Sequence, residues 1–180
     1  MEFKELVIKG VFEILPELHI DERGFFMRTY DSENFKKLGL HMEWVQENHS
    51  LSEKKGIIRG LHLQVEPFSE TKFIRCIKGT IMDVAVDLRR DSPTFCKWIG
   101  IELSEENKKM FYIPRGFAHG FCTLTDISEV VYKVDNVYSP IHERGILWND
   151  PDLAIKWPTS DPLISLKDRN NMTIKEFLEQ

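Results

Sequence analysis

A histidine and a lysine near the middle of the chain are the first candidates for chemistry. The segment Gly56–Gln64 reads GIIRGLHLQ, and strand alternation places His62 and Gln64 on one side unless Gly60 bends the strand. Lys72 follows at the start of the next predicted strand. If both side chains face one cavity, they could act as a base and as the stabiliser of an oxyanion. The alternative is a histidine that only packs in the core.

Three further segments carry side chains that can move protons or bind anions. Ile113–Phe121 reads IPRGFAHGF, in which a turn leads to His119. Tyr132 lies in an alternating apolar segment, and Asp168 lies in the charged run Leu166–Arg169. Each also has an ordinary explanation: a structural histidine, a tyrosine packed in the core, and a solvated charged surface.

These candidates lie in or beside short segments with the two-residue period of β-strands. In Ile81–Leu88, four apolar side chains share one face and Asp83 and Asp87 the other, which predicts a strand with one strongly apolar side. Many short strands separated by turns predict a mainly β protein, built as a sandwich or barrel. The other predicted strands are Gly10–Leu15, Phe25–Tyr30, Trp44–Ser50, Ile57–Gln64, Lys72–Lys78, Trp98–Leu103, Lys109–Ile113, Gly120–Thr125, Glu129–Val137 and Gly145–Trp148.

Helical signals are few and short. Asp31 predicts the cap of a helix over Glu33–Leu38, and Ser104–Asn107 predicts a single capped turn. Thr173 and Glu176 fit a capping box that opens a short C-terminal helix.

Length and composition favour one globular domain over residues 1–180. Apolar residues make up 42% and charged residues 29% of the chain, which argues against disorder. The net charge of -5 argues against a general nucleic-acid binder, although a local basic site could still bind a small anion. We see neither a signal peptide nor an apolar run of the ~20 residues that cross a bilayer. Three scattered cysteines are typical of reduced core thiols, so we expect a cytoplasmic protein with no membrane partner.

A set of short motifs resembles one known family. In chain order they are DERGFF at Asp21–Phe26, QENHS at Gln46–Ser50, RGLHLQ at Arg59–Gln64, DVAVDLR at Asp83–Arg89, SPTF at Ser92–Phe95, IPRGFAHGF at Ile113–Phe121, Tyr132-Lys133, WNDP at Trp148–Pro151, Trp157-Pro158 and Lys167-Asp168. Over nearly the whole chain they are similar to the nucleotide-sugar 3,5-epimerases of the dTDP-4-dehydrorhamnose type. The resemblance implies a cupin-type β jelly roll, a homodimer, and an enzyme that uses no cofactor or metal.

The prediction that no metal is bound also follows from the residues of the motif. Metal-binding cupins typically use an HxH motif, a later glutamate and a distal histidine. Here Gln64 stands at the second position of HxH, and His119 ends a PxGxxH motif. Glutamine is a poor metal ligand beside histidine or a carboxylate. We therefore predict that the metal site is lost while the fold is kept.

The resemblance also implies a mechanism for a nucleotide-diphospho-4-keto-6-deoxyhexose. The ketone acidifies the protons on C3 and C5, and reprotonating the enolate on the opposite face inverts the centre. By resemblance, His62 is the base and Asp168 its partner. Lys72 stabilises the enolate oxygen, and Tyr132 is the acid on the opposite face, because a phenol is protonated at neutral pH.

Other matched positions are substrate-binding by resemblance. Arg23 and Arg59 suit the diphosphate, because the guanidinium fork matches phosphate oxygens. The further binding positions are Gln46, Asn48, His119, Tyr138, Glu143 and Lys167.

Arg28 departs from the family pattern, which usually has a glutamate here that contacts the nucleotide base. A glutamate accepts a hydrogen bond from the thymine ring, whereas an arginine can only donate. Cytosine and guanine offer acceptors, which gives the hypothesis that the nucleotide is CDP or GDP. The alternative is an Arg28 that points to solvent or pairs with the diphosphate.

Three other functions stay open at this point. Relatives that share the catalytic residues invert C3 alone, and sequence does not separate the two outcomes. A cupin 3,4-ketoisomerase would keep the nucleotide site but move the carbonyl group. A non-catalytic sugar-binding cupin would bind the ligand without proton exchange.

Overall fold

The computed structural model describes residues 1–40 and 43–180. Its strands are β1 (Glu2–Glu5), β2 (Phe12–Leu15), β3 (Leu18–Asp21), β4 (Gly24–Met27), β5 (Gln46–Ser52), β6 (Ile58–Gln64), β7 (Lys72–Lys78), β8 (Thr80–Asp87), β9 (Trp98–Ser104), β10 (Met110–Ile113), β11 (Phe117–Thr123), β12 (Ser128–Val134) and β13 (Glu143–Gly145). Its helices are α1 (Ser32–Lys37), α2 (Leu166–Arg169) and α3 (Ile174–Leu178).

Two antiparallel sheets form the body of the molecule. One has the strand order β1-β2-β10-β7-β12-β5 and the other β13-β6-β11-β8-β9. The main core cluster takes Ile74 and Phe111 from the first sheet and Ile81, Leu103 and Phe121 from the second. The apolar faces of the two sheets therefore pack against each other, and the predicted mainly β, cupin-type jelly roll is confirmed.

Strand β8 differs from the expectation of a single apolar side. It lies between β11 and β9, and both of its faces are covered. Val84 and Val86 pack against Leu153 and other apolar side chains of the C-terminal segment. Asp83 and Asp87 are also fully buried. Asp83 pairs with His119, and Asp87 pairs with Arg89. Burial of these carboxylates depends on partners distant in sequence, which alternation does not reveal.

The predicted caps are present. The side chain of Asp31 accepts hydrogen bonds from two backbone N–H groups at the start of α1. Thr173 and Glu176 form the capping box of α3. Ser104 and Asn107 hydrogen-bond each other's backbone in a turn, without a helix. In the described ranges, no helix is long and apolar enough to cross a membrane.

Strands β3 and β4 form a separate two-stranded hairpin. It exposes 79% of Ile20, 66% of Phe26 and 52% of Phe25. Strands β1 and β3 were not predicted. The sequence of β1 lacks an apolar alternation, and in β3 the alternation of Leu18 and Ile20 with His19 and Asp21 spans only four residues. Among the cysteines, Cys76 and Cys122 are buried as expected, whereas Cys96 is only half-buried, and none is paired.

Candidate active site

A cavity of about 570 Å³ opens beside the main core. Strands β6, β11 and β13 of one sheet, strands β7 and β12 of the other, and helix α2 contribute to its wall. Nine of the predicted site residues line it, namely Arg59, His62, Lys72, His119, Tyr132, Tyr138, Glu143, Lys167 and Asp168.

His62 and Asp168 form a histidine–carboxylate pair in the wall. His62 Nε2 lies 2.6 Å from Asp168 Oδ1, and 6% of the Asp168 side chain is exposed. Ser165 caps α2 by accepting from the Asp168 backbone N–H, which fixes the carboxylate in place. Burial raises the pKa of Asp168, but its hydrogen bond to His62 and the nearby imidazole hold the pKa below its ordinary value. The solvated-surface alternative for this residue was therefore wrong.

Gly60 explains why Arg59 and His62 reach the same cavity. Its φ of 127° is a backbone conformation that side-chain-bearing residues rarely adopt. A Cβ at Gly60 would lie 2.5 Å from the Cα of Gly120, so the two strands approach closely here. The register between β6 and β11 shifts at this point. The possible bend at Gly60 is thus present.

A second histidine–carboxylate pair lies in the same wall. His119 Nε2 is 2.5 Å from Oδ1 of the fully buried Asp83. Asp83 Oδ2 is buried with no hydrogen-bond partner among the described residues. Sequence reasoning missed Asp83 as a site residue, although alternation had separated it from the apolar face of β8. This carboxylate fixes the ring orientation of His119 at the cavity.

Lys72 and Tyr132 come from the opposite sheet. They lie on the neighbouring strands β7 and β12, and Lys72 Nζ is 6.0 Å from the Tyr132 ring centroid. Burial, followed by the charge of Glu70, raises the pKa of the Tyr132 phenol. Tyr132 therefore stays protonated at neutral pH, as a proton donor must. Glu70 pairs with Lys72 and was also missed from sequence.

Three polar side chains form the cavity rim. Glu143 Oε2 accepts hydrogen bonds from the Tyr138 hydroxyl at 2.8 Å and from Lys167 Nζ at 2.7 Å. Burial raises the pKa of Glu143, but these hydrogen bonds bring it below its ordinary value. The bond to Glu143 raises the pKa of Lys167 and of Tyr138. The rim thus carries an ionised carboxylate and an ammonium group.

Comparison with known proteins identifies the family of this chain. A family model described as dTDP-4-dehydrorhamnose 3,5-epimerase matches residues 5–176. The chain belongs to this epimerase family. The dTDP-4-dehydrorhamnose 3,5-epimerase of Shigella flexneri is 52% identical over 161 residues, which cover 89% of this chain and 87% of that protein.

Two further relatives bear on the reaction of this family member. The crystal structure of the Bacillus anthracis dTDP-4-dehydrorhamnose 3,5-epimerase, with TDP and PPi bound, is 45% identical and superimposes with a TM-score of 0.94. That match covers 96% of this chain and 99% of the other. The dTDP-4-dehydrorhamnose 3-epimerase of Streptomyces niveus is 37% identical over 177 residues, covering 98% of this chain and 85% of that protein.

Four predicted substrate-binding residues of this family member do not line its cavity. Arg23 pairs with Asp21 in the hairpin and leaves 85% of its side chain exposed. Arg28 pairs with Asp31 at 3.0 Å and is 66% exposed. The other two lie near the rim on β5: Gln46 accepts a hydrogen bond from the backbone of Tyr138, and Asn48 lies opposite Tyr132 in the strand register. Their binding roles stay predictions.

Gln64 stands at the second position of the HxH motif, where metal-binding cupins have a histidine ligand. Its side-chain nitrogen donates to the Phe68 carbonyl, to Glu70 and to the Val137 carbonyl, and its oxygen accepts from the Ser139 backbone N–H. The amide is thus fully used in hydrogen bonds within the protein. Within residues 1–40 and 43–180, no group of three or more histidine, cysteine or acidic side chains is placed to hold a metal ion.

Proposed function

We propose that this protein inverts C3 and C5 of a dTDP-linked 4-keto-6-deoxyhexose by removing and returning protons. The observation that carries the proposal is the placement of His62 and Tyr132 on opposite sheets of one cavity. A sugar ring between them has a base on one face and an acid on the other. Inversion needs this arrangement, because the proton must leave one face and return to the other.

The other wall residues fit the same proton transfers. With Nε2 engaged by Asp168, Nδ1 is the ring nitrogen of His62 that would take the proton from C3 or C5. The ionised Asp168 would stabilise the resulting imidazolium. Lys72 would donate to the C4 oxygen as it gains negative charge in the enolate. Tyr132 would then protonate the carbon from the other side, with no net change in oxidation state.

Basic side chains at the mouth of the cavity are assigned to bind the diphosphate. Arg59 is exposed at the cavity, and its guanidinium is held by the Ser52 hydroxyl and the Leu51 carbonyl. Lys167 at the rim adds a second positive charge. Gln46, Asn48, His119, Tyr138 and Glu143 are proposed to bind the rest of the ligand.

A homodimer would bring the hairpin arginine to a site. Arg23 does not line the cavity of its own chain, and the hairpin that carries it exposes a large apolar surface. We therefore propose that the hairpin packs on a second copy and that Arg23 reaches the diphosphate there.

Mixing inactive Arg23→Ala and His62→Ala proteins should restore part of the activity, because one site of each mixed dimer combines an intact His62 with an intact Arg23. No recovery, in a mixture shown to exchange subunits, would contradict shared sites.

The nucleotide is proposed to be dTDP, because the relatives described above carry that nucleotide in their names or bind TDP. The CDP or GDP alternative depends on Arg28 facing the base. In this structure Arg28 pairs with Asp31 and, like Arg23, does not line the cavity of its own chain. Inversion of C3 alone also stays an alternative, since the Streptomyces niveus relative is a 3-epimerase.

Three unpaired cysteines support a cytoplasmic location, where thiols stay reduced.

Proton NMR in D2O tests the reaction directly. The protein is incubated with dTDP-4-keto-6-deoxyglucose, and the H3 and H5 signals are followed. Loss of both signals with inversion of both centres is the expected result. Loss of H3 alone would replace the proposal by the C3 epimerase, and the absence of any exchange would overturn it.

A further inference from the structure

Glu70 is a buried carboxylate in the cavity wall without a part in the mechanism above. It lines the cavity, and 11% of its side chain is exposed. Its Oε1 atom is in direct contact with Lys72 Nζ, and 9% of the Lys72 side chain is exposed. The two side chains form a desolvated ion pair at the point where an enolate oxygen would be stabilised.

The carboxylate of Glu70 is itself held in place. Its other oxygen, Oε2, accepts a hydrogen bond of 3.0 Å from Gln64 Nε2. Gln64 is in turn fixed by backbone groups, including the N–H of Ser139 at 2.6 Å. Because strand β6 and the segment before β13 anchor Gln64, Glu70 has little freedom to move with Lys72. The lysine is therefore aimed by a rigid partner.

This geometry has three consequences. A buried ammonium without a counter-charge is costly, and Glu70 supplies that charge. An ammonium has three N–H donors, so one bond to Glu70 leaves two for ligand oxygens. The same negative charge adds to burial in raising the pKa of the Tyr132 phenol.

We propose that Glu70 is a positioning residue that fixes the ammonium of Lys72 beside the forming enolate oxygen and over the Tyr132 ring, 6.0 Å from its centroid. This inference rests on the proposed epimerase reaction. Glu70 acts through Lys72 and Tyr132 and need not touch the sugar.

Other charged groups also face Tyr132 across the cavity. They are Arg59 and His62 on β6, His119 on β11, Glu143 on β13, and Lys167 and Asp168 on α2. The charge of Arg59 lowers the pKa of Tyr132, and that of Glu143 raises it. Replacing Glu70 leaves these contributions in place, so a change in the Tyr132 titration reports the loss of the Glu70 charge from its pair with the Lys72 ammonium, which lies 6.0 Å from the ring centroid.

The test compares Glu70→Gln with the wild-type protein. The amide keeps the size of the side chain but removes its charge. We expect kcat for deuterium exchange to fall roughly tenfold, because Lys72 is less well held. The KM and the affinity for dTDP should stay within about twofold, since Glu70 is not assigned to the nucleotide. The alkaline limb of the kcat profile should move to lower pH, because the Glu70 charge that helps to raise the Tyr132 pKa is gone.

A matched control is available on the outer side of the molecule. Glu13 is also buried and pairs with Lys109 at 2.8 Å, away from the cavity. Glu13→Gln should leave both kcat and the alkaline limb unchanged. A comparable effect in Glu13→Gln would show that loss of any buried pair suffices, which would overturn the proposal.

The phenol titration of Tyr132 separates this proposal from the proposed function. It can be followed by NMR of isotope-labelled tyrosine and does not require turnover. A Tyr132 titration that moves to lower pH in Glu70→Gln supports the Glu70 assignment even if the wild-type protein shows no exchange. An unmoved titration, or wild-type kcat in the folded variant, overturns it. If Glu70→Gln does not fold, the shorter Glu70→Asp is measured for kcat alone, because it keeps the charge but cannot hold Lys72 in the same position; wild-type kcat in that folded variant overturns the proposal.

Discussion

His62 Nε2 lies 2.6 Å from Asp168 Oδ1, although 106 residues separate the two in sequence. The contact joins β6 to the short helix α2 and orients the imidazole toward the cavity. It also commits Nε2 to the carboxylate, so the other ring nitrogen is left for the ligand.

Asp168→Asn should remove most of the activity without unfolding the protein. The amide has a similar shape but carries no charge to stabilise an imidazolium, and it can favour the wrong ring tautomer. We expect kcat to fall roughly 10²–10⁴-fold, with dTDP affinity within about twofold of wild type. Steady-state exchange rates and calorimetric titration measure the two quantities. An Asn variant that keeps more than about half of kcat would contradict the assigned role.

Tyr132→Phe should separate proton removal from inversion. His62 can still take a proton in this variant, but the opposite face lacks its donor. Hydrogen–deuterium exchange at the carbon should therefore slow less than formation of the inverted sugar. NMR gives both rates in one experiment. Equal slowing of the two would show that Tyr132 is not the acid of the opposite face.

Nucleotide choice can be tested apart from catalysis. Titration with dTDP, CDP and GDP should show the tightest binding for dTDP. Arg28→Ala should change the affinity for dTDP by less than about threefold, if the ion pair with Asp31 keeps the guanidinium away from the base. Preference for CDP or GDP that disappears in Arg28→Ala would instead support the alternative drawn from sequence.

Acid should unfold the protein partly through Asp87. This buried carboxylate accepts hydrogen bonds from Arg89, Ser92 and Thr94. Burial acts to raise its pKa, but these partners lower it to about 2. In the unfolded chain Asp87 takes up its proton near its ordinary pKa of 3.8, so its stabilising contribution is complete above that pH. The contribution, about 2 kcal/mol, is lost as the pH falls through the folded-state pKa.

Urea unfolding at several acidic pH values measures this effect. Asp87→Asn should be less stable near neutral pH and should show a flatter loss of stability in acid. A wild-type pH dependence in the Asn variant would show that other carboxylates control acid unfolding.

Much of the fold follows from local patterns. The alternation that predicts β8 and the caps at Asp31 and Thr173 depend only on neighbouring residues, so the sequence predicts these elements well. The site residues were predicted instead from the order of short motifs along the chain, because a lone histidine or tyrosine in a strand is usually structural. His62 and Tyr132 were recognised only through that order.

The remaining site features depend on contacts between distant segments. Asp83 meets His119 through the pairing of β8 with β11, two strands distant in sequence whose register no local pattern predicts. Glu70 lies in a polar stretch before β7 that resembles a solvated loop, yet its contact with Lys72 buries it. Asp168 lies in a charged run, and only the docking of α2 on β6 shows that it is buried.

The most direct test of the account is deuterium exchange by His62→Ala. This variant should bind dTDP with near wild-type affinity, because His62 is assigned to proton transfer and not to the nucleotide. Exchange at both C3 and C5 should fall roughly 10²–10⁴-fold or more, as expected for loss of a positioned general base. Near-normal exchange at either carbon in the folded, dTDP-binding variant would contradict the central role of the His62–Asp168 pair.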